Sequence, residues 1–227
     1  MYSLNSQRGV GLIEVLVAVL LLSVAVLGFS ALQVRAVSAT DESLVRTKSL
    51  TLVRNLAEVM RAYPAAYVTG SGTVFTTATQ TDVGAVPLVQ AVATIPSLAS
   101  GASGYYSVTI DGKLITIDAT NNCLSTGTTT VNSKIIPAQP CNTNQLAARD
   151  TLLVKQIARE EDIKLAVVRC PADIGQATIQ QQMCVITAWN DTKPLLIDAN
   201  TGANVNACAN SNGVYKNGSQ CLISEAY

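Results

Sequence analysis

From Val10 to Leu32 the chain reads "VGLIEVLVAVLLLSVAVLGFSAL", and Glu14 is the only charged residue in it. A helix of that length rises about 34 Å, enough to cross a hydrocarbon core of about 30 Å. This segment must therefore lie in a membrane or among other apolar helices, with a carboxylate about one turn from its start. Such a group costs about 2.5–3.5 kcal/mol at a bilayer centre and less near an interface, so Glu14 is tolerable there but calls for a partner. Arg8 precedes the run and Arg35 follows it, and Arg8 with the chain start favours a cytoplasmic N-terminus. A secretory signal needs an apolar region of about 7–15 residues and a small-x-small cleavage site. This run is longer and contains an acid, although "VSA" at residues 37–39 leaves such a cut open.

The helical pattern continues beyond Leu32. Pro64 is the first proline, and no glycine falls between Gly28 and Pro64. Val45, Leu52, Leu56, Val59 and Tyr63 recur at helical spacing and form one apolar stripe, while Arg46, Lys48, Arg54 and Arg61 fall on other faces. Glu42 and Arg46 stand in the favourable i, i+4 order. The spacing predicts one helix from Val10 to about Tyr63, roughly 80 Å long, loosest at Gly28. Two helices broken near Asp41 are the alternative.

"RGVGLIEV" at residues 8–15 resembles the processing signal of type IV pilins and related pseudopilins: a short polar leader ending in a basic residue and glycine, then an apolar helix with glutamate five residues beyond the cut. Val10 stands where that family most often has phenylalanine, and Gly11 where threonine is frequent. The resemblance implies cleavage after Gly9, methylation of the new amino terminus at Val10, and Glu14 as the acid of the motif. It divides the chain into a leader at 1–9, a long helix at 10–63 whose part 10–32 is transmembrane and later filament core, and a globular head at 64–227. Within the family, "GLIEVLVAVLLLSVAVLG", "LVRNLAEVMRAYP" and a late strand ending in "AWND" resemble the PilV-like minor pilins, the type IV pilus modification proteins. Cleavage would create a cation one turn from Glu14, able to pair with that carboxylate within one subunit or between neighbours. A buried pair is costly to leave half-made, so it would set the register between subunits.

The head holds all six cysteines, Cys123, Cys141, Cys170, Cys184, Cys208 and Cys221. None forms a C-x-x-C, and the absence of histidine removes mixed zinc sites. An even count at wide spacing fits disulfides made outside the cytoplasm. Six cysteines permit fifteen pairings. Sequential pairing closes the shortest loops, each stabilising by about 3 kcal/mol; buried free thiols are the alternative. From Thr69 to about Gly104 the chain is rich in Thr, Ser, Gly, Ala and Val, which predicts a long irregular connection. "YYSVTIDGKLITIDA" predicts a hairpin about Asp111-Gly112, and "VYKNGSQCLI" a second about Asn217-Gly218. "LAARDTLLVKQIAREED" predicts a short helix, and "IKLAVVRC" and "QMCVITAWN" two strands bringing Cys170 near Cys184. Trp189 would join Met183, Val185 and Thr187 on one strand face, as sheet core or as a ligand platform. The fold class is α+β and type IV pilin-like, with a long N-terminal helix on an antiparallel, disulfide-bearing sheet.

Formal net charge is zero, so no basic stripe for nucleic acid is expected. Without histidine a Ser-His-Asp triad is impossible. Glu160, Glu161 and Asp162 read as a solvated turn. Asp198, Asn200 and Asn204 only faintly resemble a calcium loop, lacking the glutamate at its twelfth position. No cofactor, metal or enzymatic activity is expected. The resemblance implies a minor pilin in the inner membrane, head in the periplasm, later part of the pilus at the cell surface. It would prime assembly near the tip and serve adhesion and twitching motility. Implied partners are prepilin peptidase, other minor pilins, the major pilin, the inner-membrane assembly platform, a tip adhesin, and membrane lipid before assembly. A minor pseudopilin of type II secretion shares the signal. A single-span anchored periplasmic binding protein or enzyme is the rival from another class.

Overall fold

The computed structural model describes residues 11–94, 104–117, 123, 128–137, 141–171, 182–199 and 201–226. Gly9, Val10, the rest of the leader, Asn200 and most of "SLASGASG" lie outside these. The chain divides into two compact units, residues 1–46 and residues 47–227.

Helix α1 spans Leu12–Ala62 without a break at Asp41 or Gly28. Every position before Pro64 can donate to the helical ladder, and the Tyr63 N–H still reaches the Val59 carbonyl at 3.1 Å. Proline then ends the helix, because it has no N–H and disfavours helical geometry in the residue before it. In the second unit the helix buries Ser49, Leu52, Val53, Leu56, Ala57, Val59 and Met60. The expected stripe is present and wider than expected, with Val45 and Tyr63 half-buried at its ends.

The head follows as β1 (Tyr67–Ser71), β2 (Val74–Ala78), β3 (Val86–Pro87), α2 (Leu88–Ala93), β4 (Ser107–Ile110), β5 (Lys113–Thr116), β6 (Thr128–Val131), β7 (Lys134–Pro137) and α3 (Thr143–Glu160). It ends with β8 (Ile163–Arg169), β9 (Met183–Trp189), β10 (Lys193–Leu196), β11 (Ala207–Ala209) and β12 (Cys221–Glu225). A five-stranded sheet has the order β3-β1-β2-β4-β5 and a three-stranded sheet the order β12-β9-β8; β10–β11 and β6–β7 are separate pairs. The head is therefore not a single antiparallel sheet: β2 pairs with β4, and β10 with β11, in parallel.

Of the stretch expected to be an irregular connection, the described residues 69–94 are largely regular: they hold most of β1, all of β2, β3 and α2, and bury Phe75, Leu88 and Val92 beside Val68 of β1. β1 and β2 each turn only one or two side chains inward and leave the others exposed, so their Thr-Gly-Ser composition resembles a loop. Gly70 is required there: at φ 139° its absent Cβ would lie 2.4 Å from the Val74 carbonyl oxygen. With Val108, Ile110, Ile115, Ala147, Ala148 and Leu152 these residues form the main core.

The Asp111-Gly112 hairpin joins β4 to β5, and both turn residues have positive φ, 53° and 77°, as a type I′ turn demands. Asn217-Gly218 does turn the chain, but no hairpin forms. Tyr215 makes one isolated bridge to Ala209, while β12 pairs with β9 instead. All seven residues of β9 are buried, so Trp189, Met183, Val185 and Thr187 cover one face while Cys184, Ile186 and Ala188 are buried on the other. The expected single buried face was an underestimate: β9 is the central strand of its sheet and is covered on both sides.

Helix α3 starts earlier than its apolar repeat suggests, at a capping box. The Asn142 side chain accepts from the Gln145 N–H, and the Gln145 side chain accepts from the Asn142 N–H. The same helix end is tied to the sheet. Asp111 accepts from the Thr77 N–H at 2.7 Å, the Thr77 hydroxyl at 2.6 Å and the Asn142 amide at 3.2 Å. Asn144 donates to the Tyr67 carbonyl at 3.1 Å and the Thr77 hydroxyl at 3.0 Å. Burial opposes ionisation of Asp111, but the Thr77 and Asn142 donors outweigh it and hold its carboxyl below the usual carboxylate range. A depressed folded-state pKa gives stability that is present above the unfolded value of about 3.9 and lost as pH falls through the folded value. Asp111→Asn should therefore lower head stability by about 1–2 kcal/mol at pH 7 and by little near pH 2, because asparagine fits the turn but opposes an N–H to those donors. Denaturant unfolding at both pH values measures this.

Candidate assembly site

Among the described residues of the first unit, which belong to α1 from Leu12 on, none is buried. Along Leu12–Leu32 its large apolar residues are exposed, from 49% at Val17 to 83% at Leu12. Soluble monomers do not carry such a surface, and the helix is long and apolar enough to cross a membrane. Its backbone is satisfied internally, as an apolar surrounding requires. Three of its hydroxyls bond back to the ladder: Ser23 donates to the Val19 carbonyl at 2.7 Å, Ser30 to Val26 at 2.9 Å, and Thr40 to Ala36 at 2.8 Å.

Glu14 is thus the one ionisable group between Leu12 and Val34. It sits exposed in the first turn of α1, where its own N–H reaches the Gly11 carbonyl at 2.9 Å. A carboxylate at a helix N-terminus is favoured by the helix dipole, typically by about 0.3–1 kcal/mol. That term is smaller than the cost of holding the charge in hydrocarbon, so in an apolar surrounding Glu14 still needs an external cation. Further along, Glu42 and Arg46 pair at 3.7 Å on the exposed surface.

In the head, Cys123–Cys141, Cys170–Cys184 and Cys208–Cys221 are bonded, with Cα separations of 5.6, 4.9 and 5.8 Å. These are the sequential pairs. Cys170 and Cys184 staple β8 to β9 beyond the last β8 residue, where the Cys170 N–H also reaches the Gln182 carbonyl. Cys208 and Cys221 lie inside a second, smaller core with Ile186, Ala188 and Ala209, and so join β11 to the three-stranded sheet. Cys123 and Cys141 sit at the margin of the main core.

Two contacts, from Lys48 of α1 to Glu161 just past α3 and from Tyr63 just past α1 to Asp150 of α3, were not legible in the sequence. Lys48 pairs with Glu161, and the Tyr63 hydroxyl donates to the Asp150 carboxylate at 3.0 Å. Burial and the neighbouring Asp150 push the Tyr63 phenol up. Both pairs are long-range, and no local spacing signals them. Glu161 and Asp162 form the turn out of α3, as expected, but Glu160 is still the last residue of that helix, and Asp198 accepts from the Ser211 N–H and hydroxyl at 3.1 and 2.7 Å. Among the described residues no three His, Cys, Asp or Glu converge as a metal site.

A long apolar N-terminal helix carried into an α+β, disulfide-bonded head is a pilin-like fold. The family model for the prokaryotic N-terminal methylation motif matches residues 4–30, and that described as Type IV pilin Tt1218 matches residues 31–93. The matches meet end to end and, with the fold, support a type IV pilin. No curated protein and no solved structure matches the chain.

The double variant Cys208→Ser, Cys221→Ser should lose about 3 kcal/mol of head stability, the chain-entropy value for so short a loop. Denaturant unfolding measures the loss, and peptide mapping without reductant should return the other two disulfides intact.

Proposed function

We propose that this chain is a minor pilin. It is inserted as a precursor, cut after Gly9 by a prepilin peptidase, methylated at Val10, and drawn from the inner membrane into a helical filament. The observation that carries the reading is the isolation of Glu14: one carboxylate at the start of an exposed apolar helix, inside the matched methylation motif. In the bilayer the apolar surface is solvated by lipid. In a filament it is solvated by the same surface of neighbouring subunits, and Glu14 pairs with an amine created by cleavage. The motif implies processing by a peptidase and assembly with other pilins. The resemblance of "LVRNLAEVMRAYP" and "AWND" to PilV-like chains supports the finer role, a component near the tip that primes assembly with other minor pilins, the major pilin, an assembly platform and a tip adhesin. Adhesion and twitching motility would depend on it through the filament. The pilin family suggests a structural, non-enzymatic protein.

Intact mass and N-terminal sequencing of the protein from its native membrane should show a chain starting at N-methylated Val10. A start at Met1 would leave a plain anchor, and a start near Thr40 a secreted protein. Glu14→Ala should insert normally yet fall at least about tenfold in sheared filaments, the equivalent of ~1.4 kcal/mol. Recovery at the wild-type level would reject the register role of Glu14.

A further inference from the structure

Three turns meet where β9 ends and β10, β11 and β12 begin: residues 190–192, residues 205–206 and residues 216–220. They enclose a cavity of about 360 Å³, within the range of small-molecule sites, about 300–1,000 Å³. Most such sites have apolar walls. This one is polar: Asp191, Thr192, Asn206, Asn217, Ser219 and Gln220 line it, and Ala207 is its one apolar side chain.

The backbone around the cavity is fixed. The Gln220 N–H donates to the Thr192 hydroxyl oxygen at 2.8 Å and the Trp189 N–H to the Gln220 carbonyl at 3.0 Å, which ties the turn after β9 to the start of β12. The Lys193 N–H reaches the Asn206 carbonyl at 2.8 Å and the Lys216 N–H the Cys208 carbonyl at 3.1 Å, while the Cys208–Cys221 disulfide joins β11 to β12. The side-chain ends are left over. Thr192 is only 4% exposed and accepts from Gln220, but its own O–H has no acceptor among the described residues. The Gln220 side-chain carbonyl accepts from the Asn190 amide at 2.7 Å, which orients its NH2 as a donor. Among the described residues no hydrogen bond reaches the side chains of Asp191, Asn206, Asn217 or Ser219. Lys216, the cation of the lining, is engaged elsewhere: its ammonium donates to the carbonyls of Ala199 at 3.3 Å and Asp198 at 3.5 Å, neither of which lines the cavity.

An amide offers donors and an acceptor, a hydroxyl offers both, and a carboxylate only accepts. A ligand that meets this set must bring several groups that each donate and accept, and neighbouring hydroxyls on one ring do so. A carboxylate or phosphate would instead face Asp191, and a like charge there is unfavourable. An apolar body would strip water from Thr192 and the amides and replace it with nothing. We infer that this cavity binds a neutral saccharide, whose hydroxyls donate to the Asp191 carboxylate and accept from the Thr192 hydroxyl and the Gln220 and Asn217 amides. The cavity lies within the head, and the proposal does not depend on the pilin reading. A site built of hydrogen-bonding groups strongly rejects an analogue that lacks the matching hydroxyls, because its own groups are then left unpaired.

The test places the full chain, in lipid nanodiscs, on an array of neutral, sialylated and sulfated oligosaccharides, with empty nanodiscs as the blank. A neutral glycan should be retained. Titrated calorimetrically, its O-methylated form should bind at least about tenfold more weakly, since methylation removes the hydroxyl donors that Asp191 needs. Asp191→Ala and Asn217→Ala, both at exposed positions, should each weaken the parent glycan about three- to tenfold with the thermal midpoint unchanged. The methylated probe reads the same hydrogen bonds on unsubstituted protein, so the outcome stands even if a variant folds poorly. Retention of no neutral glycan, retention of charged glycans alone, or equal binding of the O-methylated form overturns the proposal, as do two folded variants that bind like the wild type.

Discussion

Everything in this chain depends on one unbroken backbone hydrogen-bond ladder that serves two surroundings. From Leu12 to Ala62 the same helix passes from an apolar surface with no protein core to a stripe buried in the head. Along the interior of the helix the ladder satisfies the peptide groups, which is what an apolar surrounding requires. In the second part the propensity of the helix matters less than its packing: Leu56 has no exposed surface, and Leu52 and Val53 nearly none.

The head is stabilised in a way that suits its composition. Only 4% of residues are aromatic, so large rings cannot fill the interior, and small β-branched and aliphatic side chains do so instead. The resulting cores are modest, and cross-links supplement them. The polar knot of Asp111, Thr77, Asn142 and Asn144 joins the N-terminus of α3 to the ends of β1, β2 and β4. The Cys208–Cys221 disulfide does the corresponding work in the second core. The Lys48–Glu161 pair is half-exposed and belongs to a weaker class of interaction, worth about 1 kcal/mol or less. It positions α1 against α3 more than it stabilises them.

The electrostatics of the two units differ in kind. In the helix, Glu14 is the one charge on an exposed apolar surface from Leu12 to Val34. In the head, Lys48 pairs with Glu161, while Asp111 and Asp198 are held by neutral N–H and hydroxyl donors.

Sequence alone determined the features that are local. The helical period of Val45 to Tyr63, the halt at Pro64, the type I′ turn at Asp111-Gly112, the two strands about Cys170 and Cys184 and the short loops closed by the disulfides depend on residues within a turn or two, or on chain length. The capping box Asn142–Gln145 and the Gly72-Thr73 turn between β1 and β2 were equally local, and their signals were present. They were obscured by a composition rich in Thr, Ser and Gly. Only the tertiary structure decided that residues 67–93 are core, that Cys221 leads a strand to β9 rather than a hairpin back to Tyr215, and that β9 is covered on both faces. It alone brought Asp191, Asn206 and Gln220 around one cavity. Those outcomes depend on which distant surfaces are buried together, and a side chain's burial is a property of its neighbours in space, which spacing along the chain does not encode.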